Sequence, residues 1–189
     1  MKTARRCIEL CVETPEFKRE DILKELKDFN RRQGLFVTIR YMPTMALRGH
    51  MGLPTATSTV GESLVEAAAA AACDDPSFVP ISKNELDDIV IEIAILSKPL
   101  FVKGGDERIK EIAIGRDGVM ARYGIRQGLI LPSEAVERGF DAKGLLEEAC
   151  RRVGIPGSHW SQPNVNIFKF ETQVFREEAP NGKIIEGSL

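Results

Sequence analysis

Histidine is almost absent from this sequence. His50 and His159 are the only two, so a metal site built from several histidines is impossible. Long apolar runs are missing as well. No stretch approaches the roughly 20 consecutive apolar residues of a membrane-spanning helix. The first 14 residues, interrupted by Glu9 and Glu13, lack the apolar segment of a secretion signal. Neither G-x-x-x-x-G-K-[ST] nor G-x-G-x-x-G occurs, which removes the two common nucleotide fingerprints, and no G-x-S-x-G supplies a nucleophile elbow. There is no excess of positive charge. The 28 acidic and 26 basic residues leave a net charge of −2, whereas duplex binding draws most of its affinity from neutralising phosphates. Nucleic acid is thus an unfavoured partner, and a membrane is none.

Cysteine is sparse too. Cys7, Cys11, Cys73 and Cys150 are scattered through helical segments, which suits the reduced thiols of a cytoplasmic protein better than a disulfide framework. Cys7 and Cys11 share the opening spacing of the C-x3-C-x2-C iron–sulfur motif of radical-SAM enzymes. Thr14 stands at its third position, one ligand short, and the pair reads better as two small buried hydrophobes. No metal is expected, and no cofactor is indicated.

What is present suffices for a real core: 189 residues, 43% of them hydrophobic. The pattern predicts one domain over 1–178, with two sublobes allowed, and a frayed tail over 179–189. Ala4 to Val12 reads as a helix stopping near Thr14-Pro15. Ile22, Leu23, Leu26 and Phe29 recur on one face of a second helix. Leu35 to Tyr41 is a β-branched and aromatic strand, and Leu47 to Gly52 begins its hairpin partner. Thr59 to Glu62 is a capping box opening an alanine-rich helix to about Cys73; Ser82 to Glu85 is a second box. Ile89 to Leu96 is a strand whose Val90, Glu92, Ala94 and Leu96 face could sit against the alanines. Asp117-Gly118 signals a hairpin turn, Leu129 to Leu131 continues a meander, and short helices follow Pro132 and Asp141. Asn164 to Arg176 reads as one long final strand. Strands and helices mix without βαβ alternation, so the fold class is α+β, with a largely antiparallel sheet flanked by helices.

The candidate site is Leu47 to Gly52 (LRGHMG), running on through Thr55 and Thr57, Ser58 and Thr59 to the helix start. Leu47 opens the loop. Gly49 and Gly52 let the backbone approach a ligand. The hydroxyls and amides at the helix start suit an anion, and Arg48 offers a planar fork to a carboxylate or phosphate. His50 can exchange a proton near neutral pH. The bland alternative is a polar hairpin with a capped helix and an arginine paired to a core carboxylate. Glu92, a carboxylate among apolar residues, needs a partner if buried, and Arg48 fits that part. Trp160 and His159, after Gly157-Ser158, could line a cleft or simply pack.

Taken in order, LFVTI (Leu35 to Ile39), LRGHMG, AAAAACDDPSF ending at Phe78, IEIAIL (Ile91 to Leu96), IGRDGV (Ile114 to Val119), GLILP (Gly128 to Pro132) and GIPGSHW (Gly154 to Trp160) resemble the AMMECR domain family. The match runs from about Ala4 to Glu177. The family's usual LRGCIG becomes LRGHMG, with His50 and Met51 replacing cysteine and isoleucine, so no thiol is available there. The usual RFPP is Ser77-Phe78-Val79-Pro80, and LLPQV is Ile130 to Glu134. The resemblance implies a two-part α+β fold, a smaller second lobe, and a cleft lined by the hallmark loop. It implies no settled activity. Relatives fused or adjacent to radical-SAM and extradiol-dioxygenase-like domains imply a redox or modification pathway.

The resulting expectation is a domain that binds a small anionic molecule or a modified side chain at residues 47–52, with Arg48, His50 and Glu92 as the chemical groups. Two alternatives stand beside it. One is a non-catalytic module with a protein partner of the radical-SAM or dioxygenase-like kind. The other is an RNA-associated factor using Arg5, Arg6, Arg31, Arg32, Arg151 and Arg152.

Overall fold

A computed structural model describes residues 1–14, 16–24, 26 and 29–187. The chain forms two compact units, the first from Met1–Ile95 and residues 173–187, the second from Leu96–Thr172. The fold is α+β, with a five-stranded and a four-stranded antiparallel sheet, each flanked by helices.

In the first unit the strands β1 (Leu35–Tyr41), β2 (Leu47–Leu53), β3 (Ile89–Leu96), β8 (Thr172–Glu177) and β9 (Ile184–Glu186) lie in the order β2-β1-β3-β8-β9. β1 and β2 form the expected hairpin. Helices α1 (Lys2–Glu13) and α3 (Val60–Ala69) pack with β1 and β3 in one core. Thr59 and Glu62 make the expected capping box at the start of α3, and Ser82 and Glu85 make the second. From Ala70–Asp74 the alanine helix widens into a π turn. All six alanines, Ala67 to Ala72, are buried.

Register decides which face of β3 meets those alanines. Leu35, Val37 and Ile39 pair with Ile95, Ile93 and Ile91, so the larger isoleucine surface closes the core with the helices. This corrects the sequence expectation: Val90, Glu92 and Ala94 lie on the opposite face, alongside Thr38.

The second unit holds β4 (Leu100–Val102), β5 (Gly118–Tyr123), β6 (Arg126–Ile130) and β7 (Asn166–Phe170) in the order β4-β7-β5-β6. Helix α6 (Ala142–Arg152), capped by Asp141 as expected, contributes Leu145, Leu146 and Ala149 to a core with Val119, Ile130, Trp160 and Ile167. Between them lie α4 (Arg108–Glu111) and α5 (Pro132–Glu137). Arg108 is fully buried and donates to the carbonyls of Lys103, Trp160 and Val165, tying three loops together.

Further expectations are corrected. The second helix, α2, spans only Arg19–Leu23. Leu26 is buried but Phe29 is half exposed; Glu25, Lys27 and Asp28, which fall within the expected helix, and Pro15, named as the stop of the first helix, lie outside the described residues. Asp117-Gly118 is not the hairpin turn. The Asp117 carboxylate accepts from the Ala113 amide and closes a loop, and Gly118 is required because a Cβ would stand 2.5 Å from the Phe170 ring. The β5–β6 turn lies at Gly124-Ile125, with Gly124 at φ 59°. The long final strand is two, β7 and β8, in different sheets. Part of the expected frayed tail pairs with β8 as β9; Ser188 and Leu189 lie outside the described residues. Among the described residues no helix is long and apolar enough to cross a membrane.

Candidate functional site

The LRGHMG segment is the edge strand β2, and a bulge governs where its side chains go. Ile39 pairs with Gly49 and Arg40 with Leu47, leaving Arg48 as the extra residue. A bulge re-aims the side chain it carries. Arg48 is accordingly turned to Tyr41 and Glu85. Its Nε donates to Tyr41 Oη at 3.0 Å and Glu85 Oε1 at 2.7 Å, Nη1 to Val79 O at 2.9 Å, and Nη2 to Pro80 O at 3.3 Å. The Tyr41 hydroxyl also donates to Glu85. The guanidinium holds the Glu85 carboxyl down at about 2, against the opposing effect of its partial burial. Arg48 is thus an arginine paired to a carboxylate, and the carboxylate is the half-buried Glu85.

His50 lies past the bulge, on the sheet face away from the helices. It stands directly opposite Thr38, which on its other side stands opposite Glu92. His50, Thr38 and Glu92 therefore form a row across β2, β1 and β3. Directly opposite side chains in antiparallel pairs have Cβ atoms about 4.5–5.5 Å apart. Thr38 Oγ1 and His50 Nδ1 are 3.0 Å apart, and the imidazole stacks on Phe36 with centroids 5.2 Å apart and planes at 13°. The outward amide of His50 donates to Asp75 Oδ2 at 2.7 Å, while Asp75 Oδ1 accepts from the Ser77 amide at 2.8 Å. An Asx turn after the π turn thereby holds the edge strand. Thr38 and Glu92 are about 5% exposed, and His50 is half-buried. The ring is fixed from the side, beneath and through its own backbone.

Two arginines share this face. Arg40 is two residues beyond Thr38 on the unbulged β1. Arg176 alternates with Glu177, whose carboxylate turns the other way to Arg5 of α1. Sequence reasoning passed over Phe36, Thr38, Arg40, Asp75 and Arg176. The alternation within LFVTIRY carried the signal for the first three. For Asp75 the only signal was the Asp-Pro-Ser turn composition.

The remaining expected site residues fall as follows. The space beside each hallmark glycine is filled by the protein itself: a Cβ on Gly49 would meet Ala71 O, and one on Gly52 would meet Leu35 O and the Phe36 ring. Leu47 is exposed at the start of β2. Thr59 is occupied in its capping box, Thr57 O accepts from Arg32, and Ser58 lies between them, half-buried. Trp160 is buried in the core of the second unit. The arrangement thus brings together His50 and Glu92 and separates them from Arg48.

Elsewhere, a depression of about 500 Å³ in the second unit is bordered by Lys98, Arg116 and Lys169. Two of these cations are engaged within the protein, Arg116 with Asp117 and Lys169 with Glu111, whose carbonyl accepts at 2.7 Å and whose carboxylate stands 3.9 Å away. Of the six arginines named for RNA binding, Arg5 is buried, Arg151 pairs with Glu147 and Glu148, and Arg152 pairs with Glu134. Among the described residues, no group of three or more His, Cys, Asp or Glu is placed to hold a metal ion.

Comparison with known proteins shows the family of the chain. Residues 1–175 match the AMMECR1 family model. Protein MJ0810 of Methanocaldococcus jannaschii is 40% identical over 163 residues, covering 85% of this chain and 81% of that protein. Protein TK0174 of Thermococcus kodakarensis is 37% identical over 193 residues, covering 97% and 91%. The crystal structure of the uncharacterized protein PH0010 from Pyrococcus horikoshii superposes with a TM-score of 0.88 at 35% identity, covering all of this chain and 94% of that one. On sequence and on fold alike, this chain belongs to the AMMECR1 family.

Proposed function

We propose that the sheet face centred on His50, Thr38 and Glu92 binds a small anionic molecule or a modified side chain, and that His50 exchanges a proton with it. The observation that carries this reading is the fixed imidazole. Thr38 at Nδ1, the Phe36 ring beneath and Asp75 on the amide orient one group whose ordinary titration lies near neutral pH. Such orientation is wasted on a ring that only packs, and it is what proton transfer requires. Arg40 and Arg176 supply positive charge to the same face, and Glu92 supplies a carboxylate two strands from His50. The anion-holding part first given to Arg48 falls in this reading to Arg40, which lies on the same sheet face as His50 and also donates Nη1 to Met45 O at 3.1 Å, whereas the Arg48 guanidinium is turned to Glu85 and two carbonyls.

The test is a thermal-shift screen of the full chain against acidic metabolites, nucleotides and S-adenosylmethionine. Binding to the folded state raises the midpoint as ligand exceeds its dissociation constant. The expected result is a concentration-dependent rise that is lost in both His50→Gln and Arg40→Gln. A rise left intact in both variants, or no rise with any compound, overturns the reading.

A further inference from the structure

The depression in the second unit has walls fixed by its sheet. Lys169 of β7 stands opposite Leu100 on one side and Val119 on the other. The Ser97 amide donates to Glu171 O and the Glu171 amide to Ser97 Oγ, both at 2.9 Å, which holds Lys98 beside the end of β7. Arg116 enters two residues before β5. Its Nε and Nη2 donate side by side to the Asp117 carboxylate at 2.9 and 2.8 Å. The buried Phe170 ring, packed against Gly118, completes the lining.

We propose that this depression binds a phosphate monoester with a compact apolar body. Donors outnumber acceptors in it. The lining carries three cations, Lys98, Arg116 and Lys169, against two carboxylates, Asp117 and Glu171. Asp117 is 2% exposed, and its oxygens already accept from Arg116 twice and from the Ala113 amide. Glu171 is solvated, and its carboxylate comes no nearer to Arg116 Nε than 3.7 Å. The Glu111 carboxylate, 3.9 Å from Lys169, is also partly solvated and lies outside the lining. Lys98 differs from the other two cations. Among the described residues it has no hydrogen-bond or ion-pair partner, so its ammonium is uncommitted. Lys169 spends one of its three N–H bonds on Glu111 O. Ser97 Oγ accepts from Glu171 and keeps its own proton to donate.

The kind of donor selects the kind of anion. A planar carboxylate is matched best by a free arginine fork, and here the fork is closed on Asp117. What is left are point donors on separate segments: the ammonium groups of Lys98 and Lys169 and the Ser97 hydroxyl. Such a set suits the three oxygens of a tetrahedral phosphoryl group. A phosphate monoester near neutral pH also carries close to two negative charges, and so gains more from two lysines than a carboxylate does. At about 500 Å³ the space exceeds a bare phosphate ion and falls in the range of small-molecule sites. Leu100, 59% exposed, offers the apolar body a surface. The proposal is independent of whether the His50 face of the first unit binds a ligand.

The test titrates the full chain, labelled with nitrogen-15, with phenyl phosphate at about pH 7.5, where the ester is largely a dianion, and follows the backbone amides by NMR. The expected result is saturable shifts at Ser97, Lys98, Arg116 and Glu171. In Lys98→Gln the dissociation constant is expected to rise about tenfold, the loss of one charge-assisted contact. Lys98 is exposed and holds no other group, so the variant keeps the fold. Benzoate, which has the same ring and a planar carboxylate, is expected to bind about tenfold more weakly than phenyl phosphate. Shifts that are absent, never saturate or fall on the first unit overturn the proposal. So does an affinity that Lys98→Gln leaves unchanged, and benzoate binding as tightly as the phosphate ester overturns the assigned class.

Discussion

Gly49 and Ala71 meet backbone to backbone: a Cβ on Gly49 would stand 2.1 Å from the carbonyl oxygen of Ala71. The alanine run and the hallmark glycine are two halves of one contact. Six methyl side chains bring the helix down onto the edge strand, and the glycine leaves the last space empty. The π turn begins at Ala70, beside this contact.

Gly49→Ala therefore has no cheap relief, because the obstacle is backbone rather than the end of a flexible side chain. Overpacking of this kind costs about 3 kcal/mol. Urea unfolding at neutral pH should show a lower midpoint with an unchanged slope. A wild-type midpoint would mean that strand and helix can part without cost, and that the glycine serves something else.

Arg48 and Glu85 should shape the acid limb of stability. The Glu85 carboxyl sits at about 2 in the folded protein, against about 4.3 in an unfolded chain. With the folded value depressed, the contribution is complete above the unfolded value and is lost as pH falls toward about 2. The side chain is 21% exposed, so the stability at stake is roughly 2 kcal/mol. Glu85→Gln should be less stable than wild type by that amount at pH 7, and the gap should close between pH 5 and pH 2. A gap that stays constant across this range would show that the carboxylate's charge plays no part.

These residues mark where the sequence was legible and where it was not. Local chemistry read well: both capping boxes, the β1–β2 hairpin, the Asp141 cap and the α+β class follow from neighbours a few positions apart. Faces read less well. One bulge at Arg48 sends it and His50 to different partners, and nothing in LRGHMG marks that bulge. The orientation of Glu92 depended on whether the isoleucines or the valine and alanine of β3 covered the helix, a contest settled by register with β1. Asp117-Gly118 misled because its glycine is demanded by the Phe170 ring, a contact 52 residues away. The row of His50, Thr38 and Glu92 needs three strands in register, which no single segment displays.

Arg5 and Glu177 offer a test of long-range electrostatics in the first unit. Both are about 5% exposed, and they are joined by two hydrogen bonds. Arg5 also donates to Leu86 O and Ile89 O, and Glu177 accepts from the Ile91 amide at 3.0 Å. Arg5→Met leaves a buried carboxylate without its cation and should cost about 3–5 kcal/mol. Glu177→Gln in the same background should restore part of that loss, giving a favourable coupling in a double-mutant cycle measured by urea unfolding. Additive losses would mean that the two groups act independently.

Thiol labelling should separate the four cysteines by their surroundings. Burial pushes the Cys7 thiol up to about 12 and the Cys150 thiol up to about 11, the latter despite nearby Arg108 and Arg151. Both side chains are fully buried. The thiolate is the reacting species and is scarce at pH 8 for either group, and each sulfur is also screened from reagent. N-ethylmaleimide on the native chain should label Cys11 within minutes and leave Cys7 and Cys150 unmodified, while denaturant should expose all four to one common rate. Rapid native labelling of Cys150 would mean that α6 opens readily from its sheet, and the second unit's core would then be far looser than its burial implies.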